Sequence, residues 1–397
     1  MMQALALVVV LAAQNPAPRS PYIDAVARYG PGTEREAVAT LLALGLRDVD
    51  RVFEELDLVC AAQGARTCLP HDLENVGPEV RDRVAATWRQ LYPRVMAVHA
   101  EALVTTGTRR DGTAAALHTG VLLRLAARCD EIARRADAPV TIASLAATGR
   151  HLVLWALQYV RDERRLGDAL DILDRAKFRD VDVWLARGAL AELRTRPDAV
   201  AAAERKASAA IERKGALRDS ATPRKAESAP TEVKLDGEVE RRLSAAVRAY
   251  REGIEVHPDV PEMHLRLGRV LALLERLDEA DRQLAMTMTL RPDPRQSYLA
   301  ALFLGDLRER QRRPEDAMAA YASALEAWPG AQAPVVALAR LRVLTGAADA
   351  GRATLAGVHV ERDMRERSDP WLGYAGGQGW RLSGALADLQ RTFEPLR

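Results

Sequence analysis

Apolar side chains recur along this chain at three-to-four spacing, the period of one helix face, and no segment reads as the strict alternation of a half-buried strand. Val239, Leu243, Val247 and Ile254 mark one such face, and residues 79–136 keep an amphipathic helical pattern throughout. Tyr22, Ala25, Val26, Tyr29 and Gly30, followed by Ala37 and Leu41, predict a short helical hairpin. His151 to Val160 predicts a further helix, and Ala169, Leu173 and Ala176 the one after it. Near the end of the chain Asp369-Pro370-Trp371 reads as a helix-breaking turn, after which Leu382, Leu386, Leu389 and Phe393 predict a closing helix.

Two stretches repeat one another. Pro261 to Pro294 carries Leu267-Gly268, Leu271, Ala280, Leu284 and Pro292; Tyr298 to Ala331 carries Leu304-Gly305, Arg308, Ala317, Tyr321, Ala324 and Pro329. The two glycines lie 37 residues apart, with Asp293-Pro294-Arg295-Gln296 in the connection. Small residues at these places predict close crossings of two antiparallel helices, Gly268 opposite Ala280 and Gly305 opposite Ala317, with Leu271 and Tyr321 filling the cores beside them. Pro292 ends a helix because it brings no N–H to the ladder. A degenerate unit follows, with Leu338-Ala339, Gly346, Gly351 and Leu355, as expected where an array ends.

Upstream, Ala246, Tyr250, Gly253 and Pro258 make a good second helix, but the residues just before it supply no first helix. Val181 to Thr195 does, with Trp184 and Gly188 at the matching places. Gly188 and Ala246 are 58 residues apart, against 12 for Gly268 and Ala280, so this repeat is predicted to be split by an insertion of 46. Residues 196–236 hold four of the five lysines and almost no large apolar side chains. That composition predicts a charged helix over 198–217 and disorder over 218–235.

The residues quoted resemble tetratricopeptide (TPR) repeats over 181–361 once the insertion is skipped, and weakly over 143–180; the family period is about 34 residues. The resemblance implies an all-α, right-handed solenoid of helical hairpins that binds a peptide or a protein surface along its concave side. Carried onto the matching first-helix positions, the family's groove falls on Glu262, Leu265, Arg269 and Ala272, then on Leu299, Leu302, Asp306 and Glu309. Members that clamp a peptide carboxylate resemble one another in Lys and Asn at such positions, and this chain has neither there. The stretch Asp369-Pro370-Trp371 to Tyr374 with Gly377-Gln378 also resembles the tail of some exported bacterial members.

Composition narrows the function. The chain of 397 residues is 48% hydrophobic but only 5% aromatic, and 57 basic residues against 55 acidic ones leave a formal charge of +2. No global basic field exists to attract nucleic acid, so a nucleic-acid partner is not expected. Fifty-two of the basic residues are arginines, dispersed among Asp and Glu as on solvated helix faces.

The run Ala4 to Ala13 is too short for a bilayer core of about 30 Å and reads as the apolar region of a secretory signal, with Gln14 as the expected mature terminus, although no Lys or Arg precedes it. A short buried helix in a cytoplasmic protein is the alternative. Export opens a disulfide between Cys60 and Cys68, which flank a Gly-containing turn, and leaves Cys129 on the apolar side of a helix.

No P-loop, nucleophile elbow, HExxH or dinucleotide fingerprint is present. The seven histidines are scattered, most of them predicted on helix surfaces or near turns, and His264 stands at an aromatic position of the repeat. Gly376-Gly377-Gln378-Gly379 follows no strand and reads as a turn. The sequence thus predicts a non-catalytic scaffold of the cell envelope that binds a protein or peptide and needs no cofactor or metal; the alternative is an enzyme with a site in residues 45–140. Its expected organisation is a signal and linker (1–20), an N-terminal helical region (21–142), a degenerate hairpin with the first half of the split repeat (143–195), the insertion (196–236), the array (237–361), and a turn with a capping helix (362–397).

Overall fold

The structure is a computed structural model and describes residues 20–134, 140–195, 237–356, 370–375, 379–391 and 393. Among these residues the chain is all-α, with one 3-10 turn and no strand. No helix among them is long and apolar enough to cross a membrane. The expected signal, the charged insertion and Gly376 to Gln378 lie outside the described residues. Two compact units emerge, one within residues 1–175 and 378–397, the other within 176–377.

The first unit begins with α1 (Pro21–Ala27) and α2 (Glu34–Ala43), the expected short hairpin. Ser20 caps α1 by accepting from the Tyr22 N–H at 3.2 Å, and Pro21 sits at the first turn, where its missing N–H costs nothing. Helix α3 (Val49–Ala61) leads to a loop in which Cys60 and Cys68 are joined by a disulfide. The loop is pinned further: Asp57 accepts from the Cys68 N–H at 3.0 Å, and the Trp88 indole N–H donates to the Cys68 carbonyl at 3.2 Å.

Helix α4 (Pro78–Thr108) runs on through Pro93, and every residue from Leu91 to Ala100 is buried. A helix hidden all round needs neighbours on every side. These are α1, α2, α5 (Gly112–Ala133), α6 (Val140–Tyr159) and α17 (Gly379–Arg391). Gly149 of α6 admits Met96 and the Ala126 Cβ, both within 3.2 Å of where its own Cβ would stand. Helix α7 (Glu163–Arg175) follows α6.

The closing helix α17 buries Leu382, Leu386 and Leu389 and packs on α4 and α6, so it completes the first unit and not the end of the array. Each such leucine contributes about 1.5–3 kcal/mol by burial. Gln390 donates to the Tyr29 hydroxyl at 3.2 Å, and the Phe393 ring meets Tyr29 edge-on at 6.1 Å.

The second unit is a solenoid of helical hairpins of the TPR type: α8 (Val181–Leu193) with α9 (Gly237–Val256), α10 (Pro261–Leu273) with α11 (Leu277–Thr289), α12 (Pro294–Arg310) with α13 (Pro314–Ala327), and α14 (Gln332–Leu344) with α15 (Ala348–Ala356). Prolines open α10, α12 and α13, and Asp293 with Gln296 forms a capping box on α12. The turns inside the last three hairpins pass through the left-handed region at Glu275 (φ 59°), Arg312 (φ 62°) and Gly346 (φ 90°), and only the third carries the residue that adopts it without strain.

The glycines sit at the crossings, but their partners differ from the expected ones. A Cβ on Gly268 would meet Leu284 Cγ at 2.6 Å, and a Cβ on Gly305 would come within 2.3 Å of Tyr321 Cε1. Each glycine therefore faces the residue sixteen places on, one helical turn beyond Ala280 and Ala317, which are themselves fully buried. In the split hairpin Gly188 faces Tyr250 in the same manner, not Ala246, and the extra separation is the 46 residues of the insertion. Trp184 meets Gly253 while Gly188 meets Tyr250, so α8 and α9 run antiparallel. In the degenerate hairpin the roles reverse: a Cβ on Gly351 would lie 2.8 Å from the Ala339 carbonyl oxygen.

Candidate peptide-binding face

The repeats place a tyrosine on the second helix against a glutamate near the end of the first. The Tyr321 hydroxyl donates to Glu309 at 2.7 Å, and the Tyr250 hydroxyl donates to Glu192. Each carboxylate also meets an arginine of the next first helix, Glu309 with Arg340 and Glu192 with Arg266, the latter at 3.8 Å. Burial raises the pKa of both glutamates, opposed by those arginines and tyrosine donors. The middle hairpin has Ala272 and Leu284 at these places and buries them as plain core.

This arrangement divides the eight residues expected to line the groove, of which Ala272 is core as just described. Leu265 and Leu299 are part of the apolar core, and Glu309 is buried beneath Tyr321 and Arg340. Glu262 is buried too, accepting from Arg266 Nε at 2.8 Å and from the Gln296 amide at 3.3 Å. Leu302 and Asp306 are half-buried. Arg269 is buried at 4.0 Å from Asp306, and burial lowers its pKa against the pull of that carboxylate.

Arg269 is covered by aromatic rings. Its guanidinium lies 4.8 Å from the centre of Phe303 and 5.2 Å from that of Trp371. Arg266 lies 4.9 Å from the centre of Tyr374. Burial would depress Arg266, but Glu262, Tyr250, Tyr374 and Glu192 outweigh it and hold the guanidinium well above its ordinary pKa. Trp371 and Tyr374 belong to α16 (Pro370–Ala375), which lies on α12; where a turn was expected, Pro370 instead takes the first position of this helix.

Both rings meet Phe303 edge-on, at 5.5 and 5.2 Å, and stack on each other at 5.9 Å and 17°. Arg266 and Phe303 occupy the same place in successive repeats, 37 residues apart, one position beyond those taken from the family pattern. The sequence signal for them was their i+4 spacing from Glu262 and Leu299; nothing local marked Trp371 and Tyr374 as their partners.

In the first unit two of the histidines that look scattered in the sequence are buried together. His99 of α4 and His118 of α5 approach Nδ1 to Nδ1 at 2.9 Å, and the His99 Nε2 bonds the Tyr22 hydroxyl at 3.1 Å. One Nδ1–H donates to the other ring, which requires at least one neutral imidazole. Burial, with the like charge of His118, lowers His99 well below the usual range, and burial pushes His118 down to about 4 against the pull of Asp111. His264 packs as its aromatic position implies, with Nε2 2.9 Å from the Pro258 carbonyl oxygen and Nδ1 bonded to the Gln283 amide at 2.8 Å. Among the described residues no group of three His, Cys, Asp or Glu is placed to hold a metal ion.

No family model matches this sequence, and no curated protein matches it. Among solved structures it is similar to "Crystal structure of APC/C hetero-tetramer Cut9-Hcn1", at 12% identity and TM-score 0.34 over 100% of this chain and 71% of that one. It is also similar to "Crystal Structure of the Yeast Tom70", at 12% identity and TM-score 0.31 over 99% of this chain and 86% of that one. At such scores neither likeness carries an argument, and the assignment of the fold rests on the hairpin geometry.

Proposed function

We propose that this chain is a non-catalytic scaffold or adaptor of the cell envelope that holds a peptide or short helix of a partner protein on the concave face formed by the first helices of its array. The observation that carries the reading is that side chains of α10 and α12 already receive a short helix there, through Phe303, Arg266 and Arg269. An extended row of first helices offers such a site without any moving part. The apolar run Ala4 to Ala13 and the disulfide at Cys60 and Cys68 support placement in an oxidising compartment. Within residues 45–140 His99 is bonded to His118 and to Tyr22, and Arg128 to Asp57, contacts that serve packing.

The test is site-specific photocrosslinking in envelope preparations. Adducts with one protein are expected from a crosslinker at Leu302 or Asp306, and not from one at Met286, an exposed second-helix position. Equal yield from Met286, or none from the first-helix positions, would overturn the reading. N-terminal sequencing of the fractionated protein is expected to begin at Gln14; an intact Met1 on a cytosolic protein would refute export.

A further inference from the structure

We infer that the first-helix face recognises a short helix presenting two aromatic side chains three residues apart, and that Trp371 and Tyr374 are a resident, displaceable copy of that ligand. This rests on the groove reading above and names the chemistry of the partner.

Residues three apart share one side of a helix, so Trp371 and Tyr374 present a single stacked aromatic surface. The receiving side matches it feature by feature. Phe303 offers its ring to both, Arg269 lies against both Phe303 and Trp371, and Arg266 lies over Tyr374. A guanidinium held against an aromatic face gains electrostatically from the ring, more so when water is excluded. The arginines are oriented before any ligand arrives: Arg266 by Glu262 and Glu192, Arg269 by Asp306.

The resident segment is a modest ligand. It is a helix of six residues and remains half-buried at both rings, whereas each array helix contributes a continuous buried face. Its fit also has a defect: the Tyr374 hydroxyl is buried with no hydrogen-bond partner among the described residues. A buried, unsatisfied hydroxyl is costly, so a helix with Phe at that place would bind better than the resident one. The segment prevails by belonging to the same chain, which gives such a contact an effective concentration on the order of millimolar. A free partner of higher intrinsic affinity displaces it.

The experiment uses the full chain and a fluorescein-labelled peptide of residues 368–377 read by anisotropy. On the wild-type chain the apparent Kd is expected near the effective concentration, about millimolar. On the Trp371→Ala/Tyr374→Ala chain binding is expected at least about tenfold tighter, and tighter again, by about tenfold, when the peptide carries Phe in place of its tyrosine. A peptide with both aromatics replaced by alanine should not bind, and Phe303→Leu in the opened chain should abolish binding of the parent peptide.

Should the double variant not fold by circular dichroism, Tyr374→Phe in the otherwise native chain provides the reciprocal test. It is expected to raise the melting temperature and to weaken the trans peptide by the factor gained in trans. A folded, opened chain that ignores the peptide, or binding indifferent to Phe303→Leu, overturns the inference; crosslinking from Leu302 and Asp306 then still reports separately on the wider groove reading. A concentration-dependent wild-type dimer that the Trp371→Ala/Tyr374→Ala chain does not form would assign the occupant to a second copy and overturn the arrangement in cis.

Discussion

The ring of Tyr321 fills the space that a side chain on Gly305 would need, and Tyr250 stands in the same relation to Gly188. In each hairpin the glycine lets a bulky residue of the second helix reach the backbone of the first. Gly305→Leu is therefore expected to overpack the crossing and cost about 1–3 kcal/mol or more. Gly384 of α17 is exposed with nothing near its Cβ position, and Gly384→Ala should gain about 1 kcal/mol from helix propensity. Thermal melts of the two variants should move in opposite directions; no loss in Gly305→Leu would refute the crossing.

The contact between Gly188 and Tyr250 spans the charged insertion without using it. Deleting residues 196–235 and joining α8 to α9 by a short Gly-containing turn is expected to keep the helical signal and the melting transition. Shortening the closed loop favours folding by about 0.6 kcal/mol for each halving of its length. Loss of the helical signal would mean that α8 and α9 depend on the intervening segment to pair.

Acid should loosen the first unit through His99 and His118. Unfolded, each ring takes a proton at about pH 6.5, whereas the folded His118 takes one only near pH 4 and His99 lies well below the usual range. The unfolded state thus binds more protons between these values, so stability is complete above about pH 6.5 and falls as the pH drops toward 4. The loss from His118 alone amounts to about 3 kcal/mol by pH 4. Asp111 near His118 is the charged neighbour that tempers it. Urea midpoints measured from pH 7.5 to 4.5 should fall in the native chain and change less in His118→Gln; identical slopes would exclude the pair.

Reduction should act locally on the first unit. The disulfide between Cys60 and Cys68 closes a short loop, for which the chain-entropy relation gives about 2–3 kcal/mol. A reducing agent, or Cys60→Ala with Cys68→Ala, is expected to lower the melting temperature. Cys129 is buried, and burial with the charge of Asp130 pushes its thiol up to about 12. It should resist alkylation in the folded protein, as should the equally buried Cys60 and Cys68, so after unfolding in denaturant one thiol is expected to react without reductant and three after reduction. Alkylation of Cys60 or Cys68 without reductant would refute the bond.

What the sequence by itself determined is whatever repeats at short range. The 3.6-residue period marks the helices, the prolines at α10, α12 and α13 mark their starts, and Gly188, Gly268 and Gly305 mark three crossings, even across an insertion, because a crossing too tight for a Cβ leaves its trace at one position. Tertiary structure alone decided which partner fills each gap. Leu284, Tyr321 and Tyr250 face the glycines in place of the alanines one turn away, and helix periodicity cannot separate two residues four apart on the same face. The pairing of His99 with His118, the return of α17 to the first unit through Gln390 and Tyr29, 361 residues apart, and the seating of Trp371 on Arg269 depend on helices docking side by side. Such docking follows from the summed fit of many apolar surfaces, and no local pattern in the chain records it.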